Sequence, residues 1–183
     1  MKKACAAILL LVTVAVLALG FTDGFKNIKE LLTGSEEVPY ISTTANGEFQ
    51  ARINKEETEI AYTLSYSALE GDVQQSHIHL GQAGANGGIT VFLCTNLNNG
   101  PVGTQACPPA PATITGVITA PDVSPDVTAT QAARNQGLNT GEFAELLDAI
   151  RSGNTYVNVH SSKFPGGEIR SQIHHEHGNS DQK

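Results

Sequence analysis

The chain has 183 residues, of which 16% are charged, and its formal net charge is −7. An acidic chain does not favour nucleic acid or an anionic lipid surface as a partner, because both carry negative charge. Its length fits one domain with a core of its own.

Residues 1–20 have the layout of a secretory signal peptide. Two lysines precede an uncharged, aliphatic run over residues 4–19, as in segments that direct export. Small residues at positions 18 and 20 predict cleavage before Phe21. An uncleaved segment would instead act as an anchor, which is the one case in which a membrane is a partner. We therefore expect a secreted, periplasmic or cell-surface protein.

The segment after the signal predicts an all-β fold. A short amphipathic lead-in at 25–32 and a turn at 34–39 come first. Alternating apolar and polar residues then predict strands at 47–54, 59–67, 76–80, 89–94, 113–119, 155–160 and 168–173. Many short strands separated by turn residues are typical of an immunoglobulin-like or Greek-key β-sandwich or barrel.

One short helix is predicted at about residues 140–152. Thr140 is the expected N-cap and Gly153 the expected left-handed stop, with an apolar stripe between them that closes one end of the core. The last segment, 174–183, is polar, contains histidines and is predicted to be disordered.

Two cysteines, Cys94 and Cys107, flank a segment rich in Asn, Gly and Pro. In an exported protein this arrangement predicts a disulfide that closes a surface loop. A zinc site is a poor alternative, because the pair lacks a second Cys or His pair at a suitable spacing. Cys5 lies within the predicted signal peptide and would leave with it.

Four sequence segments resemble the CHRD domain, a module of chordin and of microbial secreted proteins. They are LTGSEEVP at 32–39, HIHLG at 77–81 with the glycines that follow, YVNVH at 156–160 and PGGEIR at 165–170. They keep the order of the family and indicate a domain at 31–173. The resemblance implies an immunoglobulin-like or related β-sandwich in an extracellular protein, and it implies no established chemistry. Ser171 stands where the family usually has glycine.

Strand alternation places three histidines on polar faces of their strands. His77 and His79 share one side of the strand at 76–80, while Ile78 and Leu80 point to the core. On the strand at 155–160, His160 takes the polar side. If the two strands are neighbours, the three imidazoles converge on the outer, solvent-facing side of the sheet.

Two interpretations of this cluster stay open. Three neutral imidazoles on a rigid sheet suit Cu(II) or Zn(II). Alternatively the rings are structural, with their nitrogens bonded to loop carbonyls or to Glu168, so that they hold the Gly-rich turn after Leu80. The tail histidines His174, His175 and His177 are auxiliary candidates for a metal, since His-rich tracts bind transition metals weakly.

The histidines also resemble copper-zinc superoxide dismutases in outline. An H-x-H strand, a later histidine and Arg170 near the chain end imply a mononuclear copper redox enzyme, with Arg170 steering a small anion. However, residues 89–113 contain neither His nor Asp, so the bridging histidine and the zinc loop have no candidates. This absence argues against dismutase activity of the familiar kind.

The leading hypothesis is a non-enzymatic, exported CHRD-type binding module. Its partner would be an extracellular protein or surface component, or copper or zinc held by surface histidines. No catalytic residue is assigned, because the chain lacks a G-x-S-x-G elbow and the glycines at 84–88 lack the Lys and helix of a phosphate loop. A copper redox enzyme and a structural envelope or matrix module are the alternatives.

Overall fold

Eight antiparallel strands form one nearly closed, barrel-like sheet in the computed structural model, which describes residues 27–174. The strands are β1 Asn27–Thr33, β2 Asn46–Ile53, β3 Ile60–Ser67, β4 Val73–Leu80, β5 Gly88–Thr95, β6 Ala112–Ile118, β7 Thr155–Ser161 and β8 Ile169–Gln172. Their order in the sheet is β5-β4-β7-β8-β1-β2-β3-β6. The prediction of an all-β fold is confirmed.

All seven predicted strands are present, with small shifts at their ends. The lead-in at 25–32 is different, because most of it forms β1, which lies between β2 and β8 in the sheet. Ile28 and Leu32 of β1 are buried, whereas Leu31 is exposed. Apolar residues four apart fit both strand and helix periods, so the pattern at this point does not identify a strand.

The predicted helix corresponds to α2, Phe143–Arg151. Its four apolar side chains are buried, and Gly153 has the expected positive φ of 67°. The N-cap prediction was wrong, since Glu142 holds that position and the Thr140 hydroxyl donates to the Ser124 carbonyl instead, at 2.7 Å.

A second helix, α1 at Gln131–Asn135, and three single-turn 3-10 helices at Gly34–Glu36, Ala120–Asp122 and Thr128–Thr130 were not predicted. Among residues 27–174, no helix has the length and apolar composition needed to cross a membrane. The predicted signal peptide, and the tail beyond His174, lie outside the described residues.

Inward-facing side chains of the strands and the apolar face of α2 form one core cluster. Phe49, Leu64 and Ile78 of three different strands belong to it, together with Leu146 of α2. Each large apolar side chain removed from water contributes roughly 1.5–3 kcal/mol. The predicted role of the helix, to complete the β core, is therefore met by its apolar stripe.

The two end strands of the sheet, β5 and β6, are joined by side chains. The Gln105 amide donates to the carbonyls of Leu93 in β5 and Thr115 in β6, at 3.0 and 3.2 Å. The predicted disulfide between Cys94 and Cys107 is present and attaches the intervening loop to β5. The loop thus closes the gap in the barrel.

β7 is the strand that positions the candidate site. It lies between β4 and β8, and all seven of its residues are buried. A strand buried on both faces needs a cover on its outer side as well as the core on its inner side. The turns that follow β4 and β7 supply part of that cover, through Gly87 and Pro165.

Candidate metal centre

The antiparallel pairing of β4 with β7 brings the three histidines together. In β4, His79 lies opposite Tyr156 of β7 and His77 lies opposite Asn158. His160 of β7 lies opposite Gln75, two residues before His77 in β4. One ring nitrogen of each histidine lies within 4.8 Å of those of the other two. Two strands distant in sequence therefore form one cluster.

The three histidines are buried, so the prediction that they face solvent was wrong. The exposed fraction is 0% for His77, 7% for His79 and 5% for His160. They do share one face of the sheet, but turns and the Phe92 ring cover that face. Alternation identifies the two faces of a strand, and it carries no information about what lies on each.

His79 and His160 are each held by a turn carbonyl. The Nδ1 of His79 lies 2.9 Å from the Gly87 oxygen, and the Nδ1 of His160 lies 2.9 Å from the Pro165 oxygen. A carbonyl only accepts hydrogen bonds, so each Nδ1 carries a proton, and in a neutral ring each Nε2 then carries a lone pair. Loop carbonyls are thus the partners, as the structural interpretation predicted.

Glu168, the alternative partner to the loop carbonyls, does not hydrogen-bond to the histidines. Its buried carboxylate accepts hydrogen bonds from the Thr43 hydroxyl at 2.8 Å and from the Glu70 amide at 2.9 Å. Glu168 therefore connects two loops at a different point of the fold.

Asn158 lies between the histidines and a buried carboxylate. Its Oδ1 is 3.1 Å from the Nε2 of His79 and 3.1 Å from the Nε2 of His160. The NH2 end of its amide lies on the side of Glu37, which is itself buried. Burial raises the pKa of Glu37, an effect opposed by the Val38 amide, the charge of Arg170 and the nearby Asn158 amide.

Gly167 makes room for that carboxylate. A Cβ at this position would lie 2.2 Å from Oε1 of Glu37, and the residue has a φ of 127°. Only glycine adopts this backbone without strain. The second glycine of the PGGEIR segment thus allows Glu37 to pack beside Asn158.

His77 is the unusual member of the cluster. It is fully buried, and neither ring nitrogen has a hydrogen-bond partner among the described residues. Its ring packs edge-on against Phe92, with 4.5 Å between centroids, and lies 5.1 Å from the ring of His160. A buried polar ring without partners costs free energy, so its presence calls for an explanation.

Burial keeps the three imidazoles neutral. It lowers the pKa of His79 to about 3 and the pKa of His77 well below its usual range, and it also lowers the pKa of His160. Hydrogen bonds that the rings donate to the turn carbonyls act in the opposite sense and only partly offset burial. Neutral imidazole is the form that binds a metal.

Arg170 lies behind Tyr156 rather than against the histidines. Its guanidinium carbon is 3.3 Å from the centroid of the Tyr156 ring, whose other face stacks on His79 at 4.6 Å. It donates to the Ala85 carbonyl at 2.9 Å and to Oδ1 of Asn86 at 3.3 Å. These bonds hold the turn after β4, so Arg170 helps to build the wall of the site.

His174 lies away from the cluster. Its backbone amide donates to a Glu30 carboxylate oxygen at 2.7 Å, and its exposed ring lies near the same oxygen. The other auxiliary candidates, His175 and His177, are outside the described residues. Sequence reasoning missed Glu37 and Phe92. Alternation does place Tyr156 and Asn158 on the same face of their strand as His160, but it assigns them no role in the site.

A family model for the CHRD domain matches residues 28–173. The match begins in β1 and ends just after β8, so it includes every strand that positions the histidines. No curated protein and no solved structure matches the chain.

Proposed function

The chain belongs to the CHRD-domain family, and from that premise we propose that it is an exported β-domain which binds Cu(II) or Zn(II) through His77, His79 and His160. The family and the Cys94–Cys107 disulfide both suggest an extracellular protein. In this proposal the barrel is a binding module and not an enzyme.

The observation that carries the proposal is the unpartnered ring of His77. Hydrogen bonds to turn carbonyls explain why His79 and His160 are present, but no such bond explains His77. Leaving a buried polar group without a partner costs roughly 1–3 kcal/mol. An apolar residue at this position would avoid that cost altogether. A metal ion bound to one of the His77 nitrogens would offset it and would explain why a histidine is present.

The spacing of the ring nitrogens supports the same conclusion. Three points no more than 4.8 Å apart all lie within about 2.8 Å of a common centre, whereas metal–nitrogen bonds are about 2.0–2.1 Å. Side-chain movements of under about 1 Å would therefore bring three nitrogens to bonding distance. Neutral imidazoles are ligands that both Cu(II) and Zn(II) accept.

The alternative of a copper redox enzyme has less support. It assigns Arg170 to the steering of a small anion, but the guanidinium is 1% exposed and its donors point at oxygens of the turn after β4. Two further hypotheses come from the sequence alone: that the domain is a structural envelope or matrix module, and that it binds an extracellular protein or surface component.

Metal binding is tested with tag-free protein that has been stripped with a chelator and then titrated with Zn(II) or Cu(II). We expect one ion per chain by elemental analysis and a rise in Tm, because a ligand that binds only the folded state stabilises it. The copper-loaded protein should consume superoxide no faster than the metal-free protein. Faster consumption would favour the redox alternative.

Two variants identify the site. His77→Leu should abolish the bound ion and the rise in Tm, while the metal-free variant should be at least as stable as the parent, since the lost nitrogens have no hydrogen-bond partners among the described residues. A variant in which His174, His175 and His177 are all replaced by alanine should bind as the parent does. Absence of a bound ion at micromolar metal, or unchanged binding in His77→Leu, would contradict the proposal.

Export is tested by mass spectrometry of the protein from the extracellular or periplasmic fraction. We expect a chain that begins at Phe21 and contains an oxidised cysteine pair. A protein found in the cytoplasm with free thiols would rule out this part of the proposal.

A further inference from the structure

Asn158 presents its side-chain oxygen to two nitrogens that cannot donate to it. The Nε2 atoms of His79 and His160 each lie 3.1 Å from Oδ1 of Asn158. Both rings already place their single proton on Nδ1, which donates to a turn carbonyl. Three lone-pair-bearing atoms therefore face one another without a proton between them.

The position of Glu37 accounts for the orientation of the amide. A Cβ at Gly167 would lie 2.2 Å from Oε1 of Glu37 and 3.1 Å from Nδ2 of Asn158, so the NH2 end of the amide lies on the side of the carboxylate. Oδ1 is consequently directed at the histidines. Two adjacent imidazolium rings would also satisfy Oδ1, but burying two like charges side by side is strongly unfavourable.

The spacing of these atoms is that of ligands around one ion. In a tetrahedral site with bonds of about 2.0–2.1 Å, neighbouring ligand atoms lie about 3.3 Å apart. The two Nε2–Oδ1 distances of 3.1 Å are close to this value, and the unpartnered ring of His77 is available for the remaining position. The chemistry that fits between these atoms is a cation.

We propose that Oδ1 of Asn158 is the fourth ligand of the metal held by His77, His79 and His160, with Glu37 as the outer partner that orients the amide. This inference rests on the proposed metal binding. All four side chains are buried, so the site is closed, as in zinc sites that hold the ion without leaving a position for substrate. A tetrahedral set of three nitrogens and one oxygen suits Zn(II) better than Cu(II), which prefers tetragonal geometry.

The test uses Co(II) as a spectroscopic probe in the full, tag-free chain. The parent should show the intense visible bands of four-coordinate Co(II). Asn158→Ala should weaken and shift those bands as water enters, and should lower Zn(II) affinity at least tenfold. Asn158→Asp should restore a four-coordinate spectrum, because its carboxylate returns an oxygen ligand. Glu37→Gln should keep the spectrum and lower Zn(II) affinity by about 10–100-fold, as loss of an outer partner does.

A second measurement needs no variant. Solvent-proton relaxation increases when an exchanging water is bound to Co(II), so the Co(II)-loaded parent should relax water little faster than the Zn(II)-loaded parent. Strong relaxation by the parent would show an open position and overturn the inference. A Co(II) spectrum unchanged in Asn158→Ala would overturn it as well, while metal binding by the histidines would stand. A parent that binds neither Zn(II) nor Co(II) would refute the proposed function itself.

Discussion

The ring of Tyr156 lies parallel to the ring of His79, with 4.6 Å between centroids and 5° between planes. The guanidinium of Arg170 lies 3.3 Å from the centroid of the same ring. Two planar groups cannot share one face, so Tyr156 is held between the imidazole and the buried cation. This stack joins β7 to β4 on one side and to β8 on the other.

Substitutions at Tyr156 should separate the stacking from the hydroxyl. The Tyr156 hydroxyl accepts a hydrogen bond from the Gly87 amide, at 3.2 Å. Because Tyr156→Phe removes this bond and keeps the ring, it should lower the free energy of unfolding by about 0.5–1.5 kcal/mol. Tyr156→Leu removes both ring contacts and leaves Arg170 without its aromatic partner. We expect a loss of about 2–4 kcal/mol in urea unfolding. Equal losses in the two variants would show that the stack does not stabilise the fold.

The metal-free protein should lose stability as the pH falls below 6.5. Burial lowers the pKa of His79 to about 3, so between those values the unfolded chain binds a proton that the folded chain does not. The contribution is complete above the unfolded pKa and decreases by about 1.4 kcal/mol per pH unit for one such histidine. His77 and His160 act in the same sense, and the raised pKa of Glu37 acts in the opposite sense.

Urea titrations from pH 7 to pH 5 in the presence of a chelator measure this dependence. The matched control is His79→Gln, which cannot titrate and should show a smaller decrease than the parent. A free energy of unfolding that stays constant over this range would mean that the histidines are not held neutral by burial.

Gly116 should not tolerate a side chain. It lies opposite Tyr62 in the pairing of β3 with β6, and a Cβ at this position would be 2.6 Å from the Tyr62 ring. That ring is fixed because its hydroxyl donates to the Leu93 carbonyl and accepts from the Gln105 amide. Gly116→Ala should therefore cost about 1–3 kcal/mol.

The control for Gly116→Ala is Gly166→Ala, since a Cβ at Gly166 meets open space. Its effect on the urea midpoint should be within about 0.5 kcal/mol. If the two alanine variants unfold at the same urea concentration, the close contact with Tyr62 is not a constraint on this strand.

Loss of the disulfide should destabilise the fold while the barrel remains. Cys94 and Cys107 are 13 positions apart, and a closed loop of this size contributes about 3 kcal/mol. Cys94→Ala/Cys107→Ala should show that loss in urea unfolding, and a reductant should produce a similar loss in the parent only. A reductant effect on the double variant would point to some other reducible group.

The strands, the core face and the helix could largely be predicted from the sequence. Alternation in Ile78 and Leu80 identified the core side of β4, and the stripe that includes Leu146 identified the inner side of α2. The strand β1 could not be identified in this way, because Ile28 and Leu32 are spaced as in either a strand or a helix. Its assignment depends on pairing with β2, which is a long-range interaction.

The burial of the histidines and the environment of Asn158 could not be predicted. Both depend on segments that are distant in sequence, namely the turns at Gly87 and Pro165 and the residue Glu37. His77 and His79 carry no local signal that distinguishes a solvated face from a covered one. The sequence nevertheless placed them on the same side of β4 as each other.

By itself, the sequence determined the all-β fold, the cysteine pair and the side of each strand on which the histidines lie, because the side-chain period of a strand is a local property of two residues. Only the tertiary structure decided that these histidines are buried, that His77 has no hydrogen-bond partner within residues 27–174 and that Asn158 directs an oxygen at His79 and His160. Whether a polar atom is covered, and by which donor or acceptor, is set by the packing of distant turns, which no local pattern encodes.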